Sequence, residues 1–220
     1  ISVQEELEKA LSMILRTEIK TTGAGRTDTG VHAKKMFAHF DFDGEISEKL
    51  VHQLNSFLPP SIAVKKIFEV KEDFHARFSA KYRTYEYYIS LEKNPFSEKF
   101  AWQHWRKTLD VEKMNEACKI LFEYEDFGSF AKVGADNKTN ICKIYHANWE
   151  QNGNELKFTI SADRFLRNMV RAIVGTMVEI GSGKLKPTDL RKVIEAKNRN
   201  AAGTSAPAHA LFLVDVGYEF

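Results

Sequence analysis

Cysteine is nearly absent: the 220 residues hold two, Cys118 and Cys142, and no Cys-x-x-Cys pair. With no secretory context, two thiols make no disulfide framework, so both read as small apolar residues in a reducing compartment. Long apolar runs are missing as well. No stretch approaches the roughly 20 consecutive apolar residues that span a bilayer, and the opening Ile-Ser-Val-Gln-Glu-Glu lacks a basic segment followed by an apolar one. The expectation is a cytoplasmic protein with no membrane partner. Net charge is small: 32 Lys and Arg against 30 Asp and Glu leave +2. That balance makes no argument for nucleic acid, so a polyanion site has to come from local clustering. A glycine-rich nucleotide loop, a Cys cluster and a His-Glu-x-x-His pattern are all lacking, and no cofactor or metal is implied. What is present is 43% hydrophobic residues, enough to bury a core in one large domain or two small ones.

Periodicity divides the chain into helices and strands. Ser2-Val-Gln-Glu5 has capping-box spacing and precedes Leu7, Leu11, Ile14 and Leu15 at helical intervals, which predicts a helix over 2–16. Residues 34–43, rich in aromatics and closed by Gly44, read as a strand. Ser47 to Phe57 reads as a helix stopped by Pro59-Pro60, and Ile62 to Val70 as another strand. Arg83 to Ser90 alternates as a strand should. Asp110 caps a helix carrying Val111, Met114, Ala117, Ile120 and Leu121 on one face. Ala131 to Asn140 is polar and aperiodic, an exposed loop of the kind that often carries binding. Ile141–Glu150 and Leu156–Asp163 form a hairpin through Asn152-Gly153-Asn154. A helix from Arg167, a short one near Pro187 to Ala196 and a last strand at Leu211 to Tyr218 complete the reading. The fold class is α+β, with mostly antiparallel strands in two lobes, 1–72 and 73–220, joined near residues 71–76.

The most informative stretch is Gly25-Arg-Thr-Asp-Thr-Gly-Val-His-Ala33, in which two glycines bracket a carboxylate, with an arginine two residues before it and a histidine four after. The glycines permit backbone conformations closed to other residues and a close approach of a ligand to the main chain. Local chemistry leaves three readings open. The bland one is a polar turn with a solvated ion pair. Another puts a metal on Asp28 and His32, although Gly30 and Val31 argue against a helix joining them and no third ligand is near. The third is a functional carboxylate.

This stretch resembles the signature of the TruA-type pseudouridine synthases. The resemblance continues through Asp73-Phe-His-Ala-Arg-Phe-Ser-Ala80, Arg83-Thr-Tyr-Glu-Tyr87 and Arg164-Phe-Leu-Arg-Asn-Met-Val-Arg-Ala-Ile-Val-Gly175, and ends in Ala206-Pro-Ala-His-Ala-Leu-Phe-Leu213. Separated motifs in one order over nearly the whole chain are far more specific than any one alone. The resemblance implies a pseudouridine synthase fold, two lobes of mixed sheet flanked by helices with the active-site cleft between them. It also implies an isomerase that turns uridine into pseudouridine in tRNA, at positions 38 to 40 of the anticodon arm, as a homodimer and without a cofactor. By position, Asp28 is its catalytic carboxylate, Tyr85 its active-site tyrosine, and Arg171 the basic partner that directs the carboxylate through paired hydrogen bonds. Arg26 contacts the displaced nucleotide. Taken singly, a tyrosine in a Tyr-x-Tyr strand is a half-buried sheet residue and an arginine on an apolar helix a snorkelling one. At least one of Arg164, Arg167 and Arg171 is expected to point inward or toward phosphate.

Basic residues at Lys34, Lys35, Lys65, Lys66, Arg77, Arg83, Arg106, Lys107 and Lys132 would serve an RNA as phosphate contacts that position it by shape, while the ordinary role of most surface lysines is solubility. Two departures stand out. The family's opening strand has no counterpart before Ile1, which suggests missing upstream residues and a sheet edge left unpaired. Ala210 stands where the family usually has glycine, so one methyl crowds either a pocket or a turn. The rival from another class is a non-catalytic RNA-binding protein of the same fold, whose mark would be a lost aspartate; Asp28 is present.

Overall fold

The computed structural model describes residues 1–105, 108–134 and 138–220. Arg106, Lys107 and the centre of the polar loop at 135–137 lie outside the described residues. In chain order the elements are α1 (Val3–Leu15), β1 (Thr22–Gly23), β2 (His32–Ala33), β3 (Ala38–His39), α2 (Leu50–Phe57), β4 (Tyr82–Ser90) and β5 (Trp102–Gln103). There follow α3 (Val111–Leu121), β6 (Ile144–Asn152), β7 (Glu155–Ala162), α4 (Met169–Gly181), α5 (Asp189–Glu195) and β8 (Leu211–Gly217). They divide between two compact units, one of residues 1–25, 37–80 and 218–220, the other of 26–36 and 81–217.

In the smaller unit, the Ser2 hydroxyl accepts from Glu5 N and the Glu5 carboxylate accepts from Ser2 N, the reciprocal box that starts α1. Its stripe of Leu7, Leu11, Ile14 and Leu15 packs with Ile19 and with Leu50, Leu54 and Leu58 of the α2 region. α2 begins at Leu50 rather than Ser47. The Ser47 carbonyl accepts from Leu50 N and its hydroxyl from Lys49 N, so the first residues close a turn instead of joining the helix. Of the aromatic stretch 34–43, only Ala38–His39 enters a ladder, antiparallel to Thr22–Gly23. Ile62–Val70 forms no strand. The Asn55 side-chain amide satisfies both backbone groups of Val64, each at 2.7 Å, so local apolar alternation ends on a side chain instead of a neighbouring strand.

The larger unit is built on a sheet of order β2-β8-β4-β7-β6, with β5 beside β4. β4 runs antiparallel to β7 and β8, and β6 to β7, while β2–β8 and β4–β5 are parallel. The hairpin turns at Gly153, φ +57°, as the Asn-Gly signal predicts. Asp110 caps α3 by accepting from Lys113 N. α3 lies against β6, where the Asn115 amide bonds both Trp149 N and Trp149 O. One face of the sheet supplies Tyr87, Ile89, Trp149, Phe158 and Ile160 to a core shared with α3 and α4. α4 is buried at eleven of its thirteen residues, which explains why its sequence is apolar almost all round.

The Asp28 loop belongs to this larger unit, whereas the sequence assigns it to a lobe ending at 72. The reason is pairing at long range: His32–Ala33 joins Phe212–Leu213, and Lys34 N bonds the Leu213 carbonyl. The break between units after Ala24–Gly25 and again at Ala80 follows those bonds rather than any change in composition.

Candidate active site

The loop is a tight turn. The Asp28 carbonyl accepts from Val31 N at 3.1 Å, and Gly30 sits third in the turn with φ +86°, the value a type II turn demands there. β2 follows at once, so the turn is pinned to the sheet next to Asp28, whose side chain is 19% exposed.

Two arginines converge on that carboxylate from either side of the start of α4. Asn168, in the left-handed region at φ 69°, precedes the helix, and its side-chain amide donates to the Ser205 hydroxyl at 2.7 Å. Arg171 Nη1 donates to Asp28 Oδ2 at 2.8 Å, and Arg171 Nε to the Ala206 carbonyl at 2.7 Å. Ala206 N in turn donates to the Arg171 carbonyl at 3.0 Å. Close packing of α4 on the 203–206 segment makes this clasp available. A Cβ on Gly175 would lie 1.8 Å from the Thr204 carbonyl oxygen, and one on Gly203 2.9 Å from Thr176 N. Thr176 donates its hydroxyl to Ala172 O and accepts from Gly203 N at 2.9 Å, which fills the contact with a satisfied polar group. The paired hydrogen bonds expected of Arg171 are therefore one bond to Asp28 and one to the main chain. The second carboxylate oxygen instead faces Arg167 Nε at 3.7 Å, with Arg167 61% exposed.

Tyr85 lies on β4 on the same face as buried Tyr87, its ring edge-on to Phe165 at 5.2 Å. Burial pushes its phenol up to about 12; Arg83 opposes that rise and the charge of Asp28 adds to it. Tyr85 is thus a neutral hydrogen-bond donor at ordinary pH, close enough to Asp28 to feel its charge. The plain sheet reading suits Tyr87, whose hydroxyl donates to the Pro207 carbonyl at 3.0 Å within the core.

Arg26 is exposed and has no hydrogen-bond or ion-pair partner among the described residues. His32 turns away from a ligand role, stacking on Phe212 at 4.7 Å with a ring nitrogen 3.4 Å from the Lys99 carbonyl. Lys34 and Lys35 pair with Glu86 and Asp215. Ala210 is fully buried in the short 3-10 turn before β8 and is not in the left-handed region, so its methyl is core filling and needs no glycine. Sequence reasoning missed two contributors: Arg167 as a neighbour of Asp28, and the Gly175/Gly203 contact that fixes Arg171. The four-residue spacing of Arg167 and Arg171 was the available signal for the first. The second is a contact between distant segments that no local pattern carries.

A family model described as tRNA pseudouridine synthase matches residues 117–219. Among curated proteins, the chain is 54% identical over 220 residues to tRNA pseudouridine synthase A of Parabacteroides distasonis, covering 99% of this chain and 87% of that protein. It is 55% identical over 221 residues to the Bacteroides fragilis protein of the same name, with the same coverage. It is 40% identical over 223 residues to that of Bacillus subtilis, covering 99% of this chain and 90% of that one.

Proposed function

The chain belongs to the tRNA pseudouridine synthase A family, and from that membership we propose that it isomerises uridine to pseudouridine in tRNA, at positions 38 to 40 of the anticodon arm, with Asp28 as catalytic carboxylate. The reaction breaks the N1–C1′ bond, turns the uracil and closes a C5–C1′ bond. C5 loses its proton and N1 gains one, so the composition is unchanged. A carboxylate serves this by adding to C1′ of the sugar or C6 of the ring and leaving again.

The observation that carries the reading is the Asp28–Arg171 contact at 2.8 Å, in which the guanidinium is itself held by Ala206 at 2.7 Å. Such a pair orients the carboxylate before substrate arrives. Tyr85 supplies a flat face for the turning uracil. Because its phenol is pushed up to about 12, its hydroxyl acts as a donor, and any C5 deprotonation through it must hand its own proton on in the same step. A stacked uridine has to leave its helix, at a cost of a few kcal/mol, and exposed Arg26 is placed in a loop suited to fill the vacated space. The protein acts in the cytoplasm as a homodimer in this reading. No helix among the described residues is long and apolar enough to cross a membrane.

The test is carbodiimide mapping of an unmodified tRNA transcript after incubation with the protein. An alkali-resistant adduct in the anticodon arm, absent with Asp28→Ala, is the expected result. Binding of tRNA with no adduct from the intact protein would establish the non-catalytic binder instead.

A further inference from the structure

The two arginines beside Asp28 are held quite differently. Arg171 is 20% exposed and held through two donors, at 2.7 and 2.8 Å. Arg167 is 61% exposed, and its 3.7 Å approach to Asp28 Oδ1 is too long for a hydrogen bond. Its backbone is nonetheless anchored. The Arg167 carbonyl accepts from Lys132 N at 2.9 Å, and the next residue, Asn168, is fastened to Ser205. An anchored backbone carrying a loose guanidinium leaves a charge awaiting a better partner.

We propose that Arg167 is a phosphate-binding residue held in reserve by Asp28, resting on the carboxylate in the free protein and transferring to an RNA backbone phosphate beside the target nucleotide. The proposal rests on the reading of Asp28 as the residue that meets the nucleotide. The C1′ carbon and the flanking phosphates are carried by one ribose, the phosphates through its O3′ and O5′, so a guanidinium beside Asp28 lies near a phosphate of the nucleotide bound there. A phosphate offers the planar fork of Arg167 two short charge-assisted bonds in place of one long contact. An ion pair of that length with its arginine 61% exposed holds weakly, so the exchange costs little. Asp28 then keeps only Arg171, and one lobe of its carboxylate is released toward the substrate at the moment of binding.

The test compares wild type, Arg167→Gln, Arg167→Lys, Asp28→Asn and the Asp28→Asn/Arg167→Gln double variant, measuring tRNA binding across a salt series and single-turnover tritium release at saturating tRNA. Arg167→Gln is expected to weaken binding about tenfold and to reduce the slope of log affinity against log salt by about one. The loss is expected in Kd and KM more than in the saturating rate, with the pH–rate profile keeping its shape. Arg167→Lys restores the salt slope. Asp28→Asn tightens tRNA binding more when Arg167 is present than in the Arg167→Gln background, the coupling that exchange between two anions requires. Unchanged affinity and salt slope in Arg167→Gln overturn the proposal. So does a fall in its saturating rate with the acid limb displaced, since Arg167 would then be a permanent partner of the carboxylate. Isomerisation surviving in Asp28→Asn defeats the underlying reading instead, and leaves the affinity comparison of the Arg167 variants as a separate result.

Discussion

At the residue scale, the site is a carboxylate between one fixed and one loose cation, next to a phenol that stays neutral. Arg171→Lys keeps the charge but cannot serve Asp28 Oδ2 and the Ala206 carbonyl together, which Arg171 reaches at 2.8 and 2.7 Å. It is expected to lower kcat about 100-fold with little change in KM, as measured by tritium release under steady-state conditions. Tyr85 allows a prediction of pH dependence with a definite sign. Its folded value, about 12, exceeds its ordinary 10.0, so it contributes stability that is complete below pH 10 and is lost as pH rises toward 12. Spectrophotometric titration of wild type against Tyr85→Phe should therefore assign one phenolate, absent below pH 10, to this position. A phenolate at Tyr85 forming near pH 8 would contradict the environment described. The sequence motifs single out Asp28, Tyr85 and Arg171, and the structure brings Arg171 onto Asp28. The division of labour between Arg171 and Arg167 was not legible in the sequence, because it depends on which donor the Ala206 carbonyl takes, and Ala206 is 35 residues away.

At the scale of elements, two close contacts decide whether the site exists. Gly175→Ala drives a methyl into the Thr204 carbonyl, 1.8 Å from an ideal Cβ, where backbone and not a flexible side chain must yield. A loss of roughly 1–3 kcal/mol in denaturant unfolding is expected, together with a drop in activity as the Ala206 clasp shifts from Arg171. Gly30→Ala meets an ordinary contact at Ala208 but must hold φ +86°, so it should cost about 1–2 kcal/mol. In the smaller unit, His39 Nδ1 accepts from Ala76 N at 3.0 Å, which requires that nitrogen unprotonated. Burial, with His75 beside it, lowers its affinity for a proton from the ordinary 6.5, while Asp41 opposes. Stability from His39 is thus present above pH 6.5 and lost as pH falls through the lowered value. The protection factor of Ala76 N, taken relative to the intrinsic exchange rate at each pH, should fall on acidification in wild type, and it should not do so if His39 is a bystander. Helices with caps and long periodic faces, α1 and α3 above all, were readable from sequence. Ile62–Val70 alternates like a strand without forming one, because alternation reports a half-buried segment, whereas a ladder needs a partner, and here the Asn55 side chain stands in for one.

At the scale of the whole molecule, a net charge of +2 means that affinity for tRNA is local rather than global. The α+β class, the antiparallel hairpin and the final strand follow from composition and pattern. The assignment of residues 26–36 to the larger unit does not, since it rests on a two-residue parallel ladder to β8, whose partner positions are about 180 residues away in sequence. Phe158, fully buried and stacked on Trp149 at 4.8 Å, stands for the core that carries both β4 and α4. Phe158→Ala should cost about 3–5 kcal/mol and remove activity in proportion to the fraction unfolded, not through the site. Asp28 is the proposed catalyst of the isomerisation. The most direct test is tritium release from tRNA labelled at uracil C5, comparing intact protein with Asp28→Asn at concentrations where both bind the tRNA. Release from the intact protein that disappears in the variant, with binding retained, is the predicted result; release at an undiminished rate from Asp28→Asn would contradict it.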